Sequence, residues 1–251
     1  MTVSRSEKRR EARQEGGDSG MKKIYLVLGV VAVIGIAVTV WSVGSSTLSG
    51  AATAPVEVEG LDDSERLVEI AEGMTLGDEN APATIVEFGD YQCPGCGSFA
   101  TNVKPQLQLQ LVDPGLAKFV FYDFPLVQIH PHAFLAARAA RCAGEQDAYW
   151  DYHDLLFRMQ PRWSGQANAI GSFQDYAESV GLDEGEFRTC LQSDRYADVV
   201  TANMQLGAQL GVSGTPTVLV SVGSQVRRVN SDFQSIRQAV EELTEGAGEG
   251  S

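Results

Sequence analysis

Cys93-Pro94-Gly95-Cys96 places two thiols at a spacing that lets them alternate between a dithiol and a disulfide. The pair follows a strand-like run, Thr84-Ile85-Val86-Glu87-Phe88. If it opens a helix, unpaired backbone N–H groups and the helix dipole favour a thiolate at Cys93, whose pKa falls from about 8.5 into a range of roughly 3.5 to 7.5. Pro94 withholds one N–H donor from that thiolate and Gly95 lets the chain turn tightly, so the dipeptide tunes the redox potential. A stabilised thiolate is a good leaving group, which favours giving the disulfide away. The competing chemistry is half of a zinc site, completed by two of His130, His132 and His153. Against it, no second close ligand pair accompanies the cysteines, and no metal or cofactor is expected.

Glu87 is a carboxylate inside an otherwise apolar strand, six residues before Cys93. Strand alternation gives it the parity of Ile85 and so a buried position, where its pKa rises and it can relay a proton to or from Cys96. The alternative is an edge strand with Glu87 in solvent. Cys142 and Cys190 lie 48 residues apart on two helical segments. A structural disulfide, free buried thiols and an electron relay to the active pair compete there, and an oxidising compartment favours the disulfide. Closing that loop would stabilise the fold by roughly 4 kcal/mol.

These residues need elements to hold them. Met74-Thr75-Leu76 and a Gly/Asp/Asn/Pro turn precede a strand from Thr84 to Asp90. A helix follows from Pro94 or Gly95 into the Val103 to Leu111 region, kinked at Pro105, and Ala117 to Phe124 reads as a second buried strand. Helical spacing of apolar positions then recurs at His132 to Ala143, Ala148 to Met159, Ser172 to Val180, Glu184 to Leu191 and Tyr196 to Leu210. Tyr149, Trp150, Tyr152, Phe157 and Trp163 form the core of this block, with Trp163 a candidate for an exposed groove residue. Val127 and Ile129 line an apolar surface near the thiols. Strand signals return at Thr217 to Val222 and Val226 to Val229 around a Gly223-Ser224 turn, before a closing helix from Asp232 to Leu243. The order describes an α/β domain: a mixed central sheet flanked by helices, with a helical insertion between its halves.

The pattern resembles the DsbA-like branch of the thioredoxin superfamily over roughly residues 67–243. The resemblance rests on Cys93-Pro94-Gly95-Cys96 after a strand, on an insertion beginning near His130-Pro131-His132 (about 130–205), and on Gly211-Val212-Ser213-Gly214-Thr215-Pro216-Thr217 leading into a late strand. It implies a thioredoxin fold in which Cys93 attacks and Cys96 resolves, Glu87 is the buried acid, and Pro216 is a cis proline facing the pair. Thr215 then presents its backbone to an extended peptide. It further implies thiol-disulfide exchange with cysteine-containing exported proteins. Reoxidation would come from an integral membrane partner of the DsbB or vitamin K epoxide reductase homologue kind. A reductase or isomerase of the same fold is the near alternative, and a zinc-stabilised or peptide-binding adaptor the distant one.

Charge divides the chain. Residues 1–23 hold seven Lys/Arg and four Asp/Glu, whereas residues 44–251 hold 12 and 29, with no basic cluster to bind nucleic acid. Between them Ile24 to Val43 is twenty residues without a charge, long enough to cross a roughly 30 Å hydrocarbon layer. Lys22 and Lys23 at its start predict a signal anchor with the leader cytoplasmic and the rest extracytoplasmic. A cleaved signal peptide, ending at Ala52-Thr53-Ala54, is the alternative. Residues 44–66 read as a flexible linker and 244–251 as a disordered acidic tail.

Overall fold

A computed structural model describes residues 51–248, so the leader and the apolar segment 24–43 lie outside the described residues. Among the described residues no helix is long and apolar enough to cross a membrane. The chain begins with α1 (Ser64–Ile70), β1 (Met74–Leu76), β2 (Ala83–Gly89) and α2 (Pro94–Ser98). The helix continues through π-helical Phe99–Val103, α3 (Lys104–Leu107) and π-helical Gln108–Val112 before β3 (Ala117–Asp123). The two wide stretches flank Pro105, whose missing N–H removes one rung of the ladder.

Alternating apolar residues put β2 in the middle of a five-stranded sheet ordered β1-β3-β2-β4-β5, where β4 is Thr217–Val222 and β5 is Gln225–Val229. β2 pairs with β3 in parallel and with β4 antiparallel, so Glu87 stands opposite Phe121 on one side and Val218 on the other. That central place rules out the solvent-facing alternative for Glu87. The parallel pair is bridged by α2 and α3, and β4 turns into β5 at Gly223, whose φ of +56° suits a residue without a Cβ. A closing helix, α10 (Phe233–Gly248), covers one face with Ile236, Val240 and Leu243. It runs past the point where a disordered tail was expected.

Between β3 and β4 stand α4 (Ala133–Gly144), α5 (Tyr149–Arg158), α6 (Gln160–Trp163), α7 (Ile170–Ser179), α8 (Glu184–Gln192) and α9 (Ala197–Gln209). Their aromatic residues pack inward. Trp163 is fully buried and its indole N–H donates to the Leu156 carbonyl at 2.9 Å, so it is core and not a groove residue. Trp150 reaches across to the sheet, donating to the Thr75 carbonyl at 2.9 Å. Cys142 of α4 and Cys190 of α8 are joined in a disulfide.

The sheet's other face carries a smaller apolar cluster of Phe88, Phe124 and Val212 under α9. Gly207 lets α9 approach: a Cβ there would lie 2.6 Å from the Phe124 ring.

The expected flexible linker is corrected over its described part. The Ala52 amide donates to Asp194 Oδ1 at 3.1 Å, the Val56 amide donates to Thr201 Oγ1 at 3.1 Å, and Asp63 caps α1. Arg138 of α4, fully buried, donates to the carbonyls of Ala52, Leu191, Ser193 and Arg195. A small-residue composition predicts mobility only where nothing offers the backbone a partner. Here a buried guanidinium does.

Candidate active site

Cys93 is the N-cap of α2, in an extended conformation with φ −72° and ψ 123°, and its carbonyl accepts the first helical bond from Gly97 at 3.0 Å. Cys93 and Cys96 are free thiols, the first 8% exposed and the second fully buried beneath it. The cis Thr215–Pro216 bond brings the loop before β4 against them. In its thiol form Cys93 Sγ donates to the Thr215 carbonyl at 3.3 Å, and a Cβ on Gly95 would lie 3.1 Å from Pro216 Cδ. Pro94, Gly95, Cys93, Thr215 and Pro216 are thus in one place, although 122 residues separate Cys93 from Thr215.

The two thiols differ sharply. Cys93 is held down to about 5, chiefly by its hydrogen bond with Cys96. The Thr215 side chain and the backbone N–H groups of Cys96 and Gly95 assist, and burial opposes them. The Thr215 hydroxyl is buried with no hydrogen-bond partner, so its O–H is free to turn toward a Cys93 thiolate. Cys96 is pushed well up by burial, by Cys93 and by the Glu87 carboxyl. At neutral pH the pair is therefore a thiolate at Cys93 over a protonated Cys96.

Glu87 is 1% exposed and neither carboxyl oxygen has a hydrogen-bond partner. Burial pushes it well above the ordinary carboxylate range, with Lys104 opposing and Cys93 adding to the rise. A neutral acid beside a buried thiol can give or take a proton as that sulfur leaves or attacks. Lys104 is itself buried, its ammonium 2.8 and 3.0 Å from the Asp154 carboxylate and 5.0 Å from the Trp150 ring centre. His153 donates to or accepts from Asp154 at 2.8 Å and, fully buried among aromatic rings, is kept neutral with a pKa lowered to about 4.

Several residues around the thiols escape sequence reasoning. Asp90, the last residue of the expected strand, is buried. Its carboxylate accepts from Gln92 N at 2.7 Å and Leu126 N at 2.8 Å, and meets His130 Nδ1 at 2.7 Å. Gln160 of α6 donates to the carbonyls of Tyr91 and Cys93 at 2.7 and 2.9 Å, and Gln92 donates to Ser164 O at 2.7 Å. These ties fix the insertion to the reactive loop. An Asp three residues before a cysteine was the only local signal, a turn-former's hydrogen-bonding habit. Gln160, 67 residues away, gave none.

The histidines considered for zinc are committed elsewhere: His130 to Asp90, His132 Nε2 to the Gln166 carbonyl at 2.7 Å, His153 to Asp154. Among the described residues no group of three or more His, Cys, Asp or Glu is arranged to hold a metal ion. Val127 is half-buried and Ile129 is 68% exposed beside His130.

A model of the Thioredoxin family matches residues 69–242. Disulfide bond formation protein D of Bacillus subtilis is 30% identical over 178 residues, which cover 68% of this chain and 77% of that protein. Oxidised BdbD from Bacillus subtilis superposes with a TM-score of 0.60 at 30% identity, over 68% of this chain and 92% of that one. The chain is also 40% identical over 146 residues to Na(+)/H(+) antiporter NhaA 1 of Salinispora arenicola. That match takes in 58% of this chain but spans only 21% of the antiporter's length.

Proposed function

The chain belongs to the Thioredoxin family, and from that premise we propose that it is a protein-disulfide oxidoreductase that introduces disulfides into exported proteins through Cys93 and Cys96. The observation that carries the direction is the inequality of the two thiols. A substrate thiolate attacks Cys93 Sγ of the Cys93–Cys96 disulfide. The new sulfur–sulfur bond forms as the old one breaks, and the electron pair passes to Cys96, which Glu87 can protonate. The substrate's second thiolate then attacks its own sulfur in the mixed disulfide, and Cys93 departs as a thiolate. The substrate has lost two electrons and the protein has gained them. A leaving sulfur held at about 5 favours that last step.

The Thr215 backbone beside Cys93 supports docking of an extended peptide by strand addition. The twenty uncharged residues 24–43 support a membrane tether with the domain outside. In that setting an integral membrane partner of the DsbB or vitamin K epoxide reductase homologue kind would remove the two electrons, at an effective concentration raised by the tether.

Equilibrating the protein against glutathione buffers and reading the Cys93–Cys96 midpoint tests the direction. The expected midpoint lies near the oxidising end of the family's scale. One well below about −250 mV, at the thioredoxin end, overturns the oxidase reading. Cys93→Ser should abolish oxidation of a dithiol peptide, whereas an adaptor would keep its binding.

A further inference from the structure

We propose that Asp90, braced by His130, is a positioning residue that aims a hydrogen-bond donor at Cys96 and so governs how readily that sulfur leaves and returns. The inference rests on the thiol-disulfide exchange just described. Asp90 touches both cysteines through its backbone. Its carbonyl accepts from the Cys93 amide at 3.1 Å, and its own amide donates to Cys96 Sγ at 3.4 Å. The two peptide planes that carry these contacts, one on each side of the Asp90 Cα, have little freedom, because the side chain between them is tied on three sides.

Oδ1 takes the Gln92 amide at 2.7 Å, which closes a tight turn into the Cys-x-x-Cys segment. Oδ2 takes the Leu126 amide at 2.8 Å and His130 Nδ1 at 2.7 Å. Two of these three donors are backbone groups. His130 is the one side chain that completes the set, and at 16% side-chain exposure it is the part of the brace that reaches solvent.

When a thiolate attacks Cys93, the Cys93–Cys96 bond breaks and negative charge develops on Cys96 Sγ. In a buried site a donor already aimed at that sulfur needs no reorganisation, and such donors lower the barrier. Loosening the brace lets the Asp90 amide drift from Cys96 while Cys93 keeps its own donors on α2 and at Thr215. Asp90 and His130 therefore act on the sulfur of Cys96 alone, since Asp90 meets Cys93 at its amide and not at its sulfur. A residue that merely held the loop together would act on both.

The test uses the intact oxidised protein and a dithiol peptide followed by stopped flow. His130→Ala should slow peptide oxidation by about tenfold, less than the loss of a donor aimed directly at a reacting atom. Alkylation of reduced Cys93 by iodoacetamide should be unchanged. His130→Asn, which keeps an N–H near the place of Nδ1, should recover most of the loss. Equal slowing of both reactions, or of neither, overturns the proposal. Reduction of the Cys93–Cys96 disulfide by dithiothreitol expels the same sulfur whatever the biological direction. It should show the same slowing even if the wild-type protein fails to oxidise the peptide, an outcome that would count against the proposed function alone.

Discussion

A thiol held at about 5 is almost wholly ionised at neutral pH, and the groups that hold it there can be removed one at a time. Thr215→Val keeps the shape and the carbonyl but deletes the buried hydroxyl. The Cys93 titration followed by thiolate absorbance should move upward from about 5, and Thr215→Ser should leave it in place. Glu87 makes a second prediction, with its sign set by burial. Its pKa is raised in the folded state, so below the unfolded value of about 4.3 both states are protonated and stability is full. As pH climbs from there toward the raised value, the unfolded chain ionises first. Folding then loses up to about 1.4 kcal/mol per pH unit from this group. Glu87→Gln should flatten that limb in urea titrations of the reduced protein, and an unchanged slope would count against a buried, unpaired acid. Strand parity made Glu87 legible. Asp90 was not, because a carboxylate at a strand end is ordinarily solvated and only the fold brings Leu126 and His130 to it.

Among the elements, the sheet was the easier to read. β2, β3 and β4 have short apolar runs bounded by turn residues, and Gly223-Ser224 fits a two-residue hairpin. The helical insertion was legible as helices but not as an arrangement. Nothing local in Ala133–Gly144 says that Arg138 and Arg141 point inward, since charged positions in an apolar-spaced helix ordinarily face water. Arg141 nonetheless donates to Asp123 Oδ2 at 2.7 Å, with both side chains buried. The disulfide between α4 and α8 spans 48 residues. Replacing Cys142 and Cys190 together by Ala should lower the unfolding free energy by about 4 kcal/mol, the loop-closure contribution. Calorimetry should register that loss while the Cys93 titration stays near 5. A displaced thiol titration would instead tie this disulfide to the reacting pair.

For the molecule as a whole, Arg138 joins parts that the sequence keeps apart. Its four carbonyl partners come from the segment before α1, from the last turn of α8 and from the turn between α8 and α9. Arg138→Met keeps much of the volume and leaves those acceptors without a donor, so a loss of about 3 kcal/mol or more is expected. Hydrogen exchange at the Ala52 and Val56 amides should quicken selectively. If those amides keep their protection, the guanidinium is not what docks the segment. Composition made residues 51–60 look like free tether because it reports what a segment could do alone, not what a distant helix offers it.

The 122 residues between Cys93 and Thr215 also bear on timing. A ribosome releases the cysteine pair well before it makes the loop that faces it. A five-residue helix such as α2 does not persist by itself. Until α2 has folded against the sheet, Cys93 lacks the helix N–H groups and the buried Cys96 that hold it down, so it keeps a pKa of about 8.5 and a nascent chain carries little thiolate with which to trap Cys142.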